Sequence, residues 1–182
     1  MIRIIDLLCA LLGLIILWPI LLLVTMIGLF DTKSPIFIQK RVGRHKKTFY
    51  LIKFRTMNVD TKSVASHLAD NNSITKFGAF LRKTKIDELP QLLNVVKGDM
   101  SLVGPRPNLL NQKELINLRS SKGVYSVRPG ITGLAQIQNI DMSTPKLLSD
   151  VDKKMIDTLT IKKYFGYILM TVIGKGAGDA VK

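Results

Sequence analysis

From Leu7 to Phe30 the chain runs for twenty-four residues without a charged side chain. As a straight helix this stretch is about 36 Å long, against a bilayer hydrocarbon core of about 30 Å. It reads as a membrane segment, so whatever the remainder folds into starts at a bilayer. A cleaved secretory leader has a shorter apolar core and a small-residue cleavage site. This run continues through Ile27-Gly28-Leu29-Phe30 into Asp31-Thr32-Lys33 without one, and the segment is expected to be retained.

Trp18-Pro19 interrupts the run near its middle, where proline removes one helical hydrogen bond and crowds the preceding turn. The arms on either side would each be about 16 to 18 Å long, close to the depth of one leaflet. A hairpin entering and leaving on the same side fits these lengths. A kinked span fits them as well. Arg3 precedes the run, whereas Lys33, Lys40, Arg41, Arg44, Lys46, Lys47, Lys53 and Arg55 follow it, which assigns the C-terminal body to the cytoplasmic side and leaves the N-terminus open.

The 182 residues have room for one compact domain beyond the membrane segment. Lys and Arg number 27 against 13 Asp and Glu, a formal charge of +14. Such an excess suits anionic lipid and phosphorylated substrates, or nucleic acid. The membrane run favours the first, and with no nucleic-acid-binding motif present nucleic acid is not an expected partner. The one cysteine, Cys9, lies inside the apolar run and forms no disulfide within the chain. His45 and His67 lack ligand-spaced partners, which argues against a His- or Cys-based metal site.

The body reads as α+β and mainly helical. Pro35 to Gln39 and Thr48 to Arg55 predict two strands of a hairpin around the polar Gly43 to Lys47, with Phe49, Leu51, Lys53 and Arg55 sharing one face. Asp60 to Asn72 reads as a polar loop or short solvated helix without chemistry. Ser73 to Lys85 predicts a helix capped by Ser73 or Thr75, and the next helix is expected to open at Asp87, with Asp87 as N-cap, Pro90 in its first turn and Gly98 as its stop. Lys146 to Tyr164 reads as a charged helix. Tyr164 to Ile173 is apolar but too short to span, fit either to lie along the interface or to pack on the body.

Acids are scarce, so the adjacent pair Asp87-Glu88, directly after Arg82, Lys83 and Lys85, is a candidate meeting point of phosphate and a divalent cation. Arg106 sits in the stiff turn Gly104-Pro105-Arg106-Pro107 and Arg128 in Val127-Arg128-Pro129-Gly130. On the residues alone, Asp87-Glu88 reads sooner as an ordinary N-cap with first-turn charge, and each cation as a solvated surface residue.

Lys85-Ile86-Asp87-Glu88-Leu89-Pro90-Gln91-Leu92-Leu93-Asn94, Lys97-Gly98-Asp99-Met100-Ser101-Leu102-Val103-Gly104-Pro105-Arg106-Pro107 and Arg128-Pro129-Gly130-Ile131-Thr132-Gly133 together resemble the bacterial sugar transferase family, the small monotopic polyprenyl-phosphate phosphoglycosyl transferases. Lys53-Phe54-Arg55-Thr56-Met57 and the proline-broken apolar run extend the resemblance over nearly the whole chain. It implies a re-entrant helix-break-helix in residues 1–30, broken at Trp18-Pro19, and a cytoplasmic catalytic domain in residues 31–182 with a short β-hairpin and interfacial amphipathic helices. Trp18 stands where other members often have Ser.

The implied reaction moves a sugar 1-phosphate from a UDP-sugar to undecaprenyl phosphate at the bacterial inner membrane, releasing UMP and starting a glycan such as O-antigen, capsule, exopolysaccharide or glycoprotein sugar. Asp87 is the implied nucleophile, Glu88 the Mg²⁺ ligand, and Lys53, Arg82, Arg106 and Arg128 the phosphate-gripping candidates. Membrane lipids are expected partners and a homodimer is compatible with the sequence. An N-acetylated sugar is favoured weakly. The rival expectations are a non-catalytic basic membrane adaptor and a membrane hydrolase of nucleotide-sugars.

Overall fold

The computed structural model describes residues 2–61 and 73–176. The polar segment expected at Asp60 to Asn72 lies almost wholly outside the described residues. Helix α1 runs unbroken from Ile2 to Asp31 with Pro19 inside it, so Trp18-Pro19 does not interrupt the helix. One stripe of α1 meets the body along its length. Ala10, Leu14 and Leu17 pack with Phe49, Leu51, Leu92 and Val95, and beyond Pro19 Leu21 and Val24 pack with Phe54, Leu81, Phe77 and Ile86. The opposite side is bare: Leu8, Leu12, Ile15, Ile16, Trp18, Leu22, Leu23 and Phe30 are all exposed. A contiguous apolar surface of this size is not left in water.

Two polar residues of the first turns of α1 tie it down. Arg3 donates to the carbonyls of Val95 and Val96 at 2.7 and 3.1 Å. Asp6, 2% exposed, accepts from the Ser101 hydroxyl and the Leu102 amide at 2.8 Å each and from the Tyr164 hydroxyl at 2.6 Å.

The hairpin is as expected, with its first strand longer: β1 is Ile36–Val42 and β2 is Thr48–Phe54, antiparallel, with Gln39 opposite Leu51 and Phe37 opposite Lys53. The extra residues bring Arg41 onto the face shared by Phe49, Leu51 and Lys53. Helix α2, Lys76–Thr84, is capped by Thr75, whose hydroxyl accepts from the Gly78 amide at 2.8 Å. Lys85 in the left-handed region (φ 58°) ends it.

The expectation that a helix opens at Asp87 is corrected. Asp87 and Glu88 lie in a 3₁₀ turn, Ile86–Glu88, and α3 is Gln91–Lys97 with Pro90 at its N-cap. The reversal at Lys85 starts the tighter turn before the helix, and the amides of Glu88 and Leu89 bond back to Lys85 and Ile86 at 3.2 and 3.1 Å. Those amides are therefore spent on the turn and are not free for phosphate. Asn94 docks α3 on β2, donating to the Tyr50 carbonyl at 2.7 Å and accepting from the Ile52 amide at 3.0 Å. Gly98, at φ 95°, stops α3 as expected.

Strand β3, Ser101–Val103, pairs in parallel with β4, Gly130–Thr132. At the end of this pair the backbones of Gly104 and Gly130 press together, and a Cβ on Gly130 would lie 2.0 Å from the Gly104 nitrogen. Helices α4 (Lys113–Ser121), α5 (Leu134–Ile137), α6 (Pro145–Thr158) and α7 (Ile161–Val172) complete the body. The single helix expected over Lys146 to Tyr164 is in fact two, because Thr160 caps a new start by accepting from the Lys163 amide at 3.2 Å. In α7, Tyr164 and Tyr167 are buried while Phe165, Leu169 and Val172 are exposed, so the segment both packs on the body and presents an apolar face.

Candidate functional site

The hairpin, the 3₁₀ turn and the two proline-flanked segments converge on one cleft. Arg41, Lys53, Glu88, Gln91, Arg106, Pro107 and Gly130 line it, with Leu51 and Ile131. Lys53 reaches it because alternation along β2 turns it to the buried face, where its Nζ also lies 5.7 Å from the centroid of the Phe37 ring. Asp87 is 2% exposed and Glu88 7%. Glu88, removed from water beside cations, gives a cleft in which charge, not packing, decides what enters, while Asp87, its buried neighbour in the turn, is not among the lining residues.

Of the cations named from sequence, Lys53 and Arg106 line the cleft with Glu88. Arg106 Nη2 holds Glu88 Oε1 at 2.6 Å. Arg82 donates its Nε to the Thr56 hydroxyl at 2.9 Å, beside the hairpin's end. Arg128 does not line this cleft; its Nε donates to the Gly98 carbonyl at 2.8 Å and closes the C-terminus of α3. Trp18 and Pro19 lie in α1, on its run of exposed apolar residues. Lys85 is held below its ordinary lysine value, first by burial, with Glu88 opposing and Arg106 adding to the shift.

Two lining residues escaped the sequence reading. Arg41 could have been found by carrying the strand pattern past Gln39. Gln91 is three residues after Glu88 and so on the same side of the helical path.

Among the described residues no group of three or more His, Cys, Asp or Glu side chains converges as a metal cage. The carboxylate of Glu88 is nevertheless a hard oxygen donor of the kind magnesium takes, an ion that proteins commonly hold through one or two carboxylates together with substrate phosphates.

The family model for bacterial sugar transferases matches residues 1–175. The chain belongs to the bacterial sugar transferase family. An uncharacterised sugar transferase of Haemophilus influenzae is 40% identical over 163 residues, covering 78% of this chain and 34% of that protein. The UDP-glucose:undecaprenyl-phosphate glucose-1-phosphate transferase of Xanthomonas campestris is 35% identical over 176 residues, covering 92% of this chain and 36% of that protein. The protein of the same name in Caulobacter vibrioides is 34% identical over 182 residues, covering 93% of this chain and 67% of that protein. The chain thus spans about a third of the length of two of these curated relatives and two-thirds of the third.

Proposed function

We propose that the chain is a phosphoglycosyl transferase that moves a sugar 1-phosphate from a UDP-sugar to undecaprenyl phosphate. The observation that carries the reading is Glu88 in one cleft with Arg41, Lys53 and Arg106, next to the buried Asp87 of the same turn, on a body whose first helix bares an apolar face. Names of relatives that act on UDP-glucose and undecaprenyl phosphate support it.

A carboxylate approaching a diphosphate meets repulsion, and cations around the phosphates offset it. In the first step an Asp87 oxygen attacks the phosphorus that carries the sugar. The P–O bond to UMP breaks and UMP leaves with the bond electrons. In the second, an oxygen of undecaprenyl phosphate attacks the same phosphorus, the bond to Asp87 breaks, and the carboxylate is restored. An acyl phosphate hydrolyses readily, and the near-complete burial of Asp87 supports a role in which water is excluded. Lys53 and Arg106 hold phosphate oxygens, Arg106 exchanging its pairing with Glu88 for substrate. Glu88 would hold Mg²⁺, which when bound neutralises charge on the diphosphate.

The lipid substrate calls for the cleft to sit at the membrane surface. Both ends of α1 bond to the body, Arg3 and Asp6 at its start and Asp31 at its end, the latter accepting from the Thr75 hydroxyl at 2.7 Å. This supports a helix that enters the membrane without crossing it, with both ends on the cytoplasmic face. External labelling near Arg3 in intact cells would defeat that arrangement.

Screening UDP-sugars for UMP release tests the reaction. Transfer predicts turnover that requires undecaprenyl phosphate. Turnover without lipid would identify a hydrolase, and no UMP with any UDP-sugar would leave a non-catalytic adaptor.

A further inference from the structure

Proline at positions 105 and 107 removes two amide donors from the segment Gly104 to Asn108, so a regular ladder cannot fix it. Its carbonyls are met from outside, one after another. Gly104 O accepts from Gln136 Nε2 at 3.3 Å, Pro105 O from the Gly130 amide at 2.9 Å, and Arg106 O from Arg119 Nη1 at 2.8 Å. Pro107 O accepts from Arg41 Nη1 at 3.1 Å and Asn108 O from the Val42 amide at 3.0 Å. Five consecutive carbonyls are held by donors from α5, β4, α4 and β1, and the one long cationic side chain this segment carries is Arg106.

Arg119 is the unusual member. It and Asp152 are each 1% exposed. Its Nε and Nη2 both donate to Asp152 Oδ2, at 2.9 and 2.6 Å, while Nη1 spans Arg106 O and Asn108 Oδ1, the latter at 3.0 Å. The Tyr125 hydroxyl adds a second bond to Asn108 Oδ1 at 2.9 Å. Burial lifts the Asp152 carboxyl above its ordinary value, with Arg119 opposing. A buried ion pair is a poor source of stability compared with apolar residues of the same volume. What apolar residues cannot do is donate to Arg106 O and Asn108 Oδ1.

We propose that Arg119 is a positioning residue, which fixes the turn carrying Arg106 so that its guanidinium stands over Glu88 ready for a substrate phosphate. The proposal rests on the reading of the cleft as the UDP-sugar site. Arginine is required because its planar fork serves Asp152 and the turn together, whereas lysine offers one point of attachment.

The test compares Arg119→Lys, the double variant Arg119→Met with Asp152→Leu, and Arg106→Ala alone and combined with that pair. Melting temperature, kcat/KM for UMP release in detergent with undecaprenyl phosphate, and UDP affinity are measured for each. The double variant is expected to melt near wild type yet lose about 10- to 100-fold in kcat/KM, the scale of a misplaced binding group. In its background Arg106→Ala should cost far less than in wild type, because the two changes remove one interaction. Wild-type kcat/KM in the folded double variant, or losses that multiply independently, would overturn the proposal. Should the double variant fail to fold, Arg119→Lys decides, with the same loss expected and wild-type kcat/KM overturning. A wild-type chain that binds UDP but releases no UMP refutes transfer alone, and about a tenfold weaker UDP affinity in the variants would still support the positioning role. No UDP binding by wild type overturns both.

Discussion

Replacing Asp6 by Leu inserts a good helix former into an apolar helix, and if position 6 faced lipid the change would be neutral or stabilising. The structure predicts the opposite. Asp6 Oδ1 accepts from Ser101 Oγ, the Leu102 amide and Tyr164 Oη, and Leu strands all three donors, the two hydroxyls buried and the amide partly so. Leaving a neutral donor unsatisfied costs about 1–3 kcal/mol, and the three together about 3–5 kcal/mol because the two hydroxyls can turn to recover part. At roughly 2–4 °C per kcal/mol for a chain of this length, Asp6→Leu should lower the melting temperature by about 6–20 °C. Asp6→Asn keeps the accepting oxygen and loses only the charge-assisted part, so about 1–2 kcal/mol is expected. Thermal unfolding in detergent, followed by intrinsic fluorescence, reads both. The cycle with Tyr164→Phe is sharper: once Asp6 is gone Tyr164 is an orphan donor, and its removal should cost little or restore stability. An Asp6→Leu variant melting within about 2 °C of wild type, or effects of Asp6 and Tyr164 that simply add, would refute the tie between α1 and the body.

Gly130→Ala should destabilise the fold by about 1–3 kcal/mol and weaken UDP binding, because its Cβ would lie 2.0 Å from the Gly104 nitrogen and force β3 from β4; calorimetry and melting check both. Tyr125, Tyr164 and Tyr167 are all raised above the ordinary tyrosine value of 10.0, burial being the first cause in each. The folded chain then keeps protons that the unfolded chain releases, so their contribution is fully present below about pH 10 and stability falls as pH rises beyond it. Tyr164→Phe should flatten that fall, read from melting temperatures between pH 8 and 11. Glu88→Gln should raise the magnesium concentration needed for half-maximal UMP release, and an unchanged titration would remove Glu88 as the ligand.

What the sequence made legible was local. The hairpin followed from alternation in Thr48 to Arg55, the α2 start from Ser73 or Thr75 as cap, of which the fold uses Thr75, and the α3 stop from Gly98, each a signal carried within a few residues. Long-range pairing was illegible. Nothing near Ser101 or Gly130 announces a parallel pair, and Asp6 meets Ser101 from 95 positions away. The same holds for the site. Asp87, Glu88, Lys53 and Arg106 stood out as types in short motifs, and the fold brings Lys53, Glu88 and Arg106 to the cleft. Arg128 looked equivalent to Arg106 because both sit beside proline, yet it closes α3, a distinction set by tertiary position alone. The helix expected at Asp87 failed because Lys85 takes the left-handed conformation and forces a 3₁₀ turn first.

The central claim is that Asp87 carries the phosphosugar covalently. Intact-protein mass spectrometry after incubation with the UDP-sugar and Mg²⁺, without lipid acceptor, tests it most directly. The account predicts a phosphosugar adduct mapped to Asp87, about one equivalent of UMP, and neither in Asp87→Asn. An adduct at the same position in the Asn variant, or full lipid-dependent turnover by that variant, would contradict it.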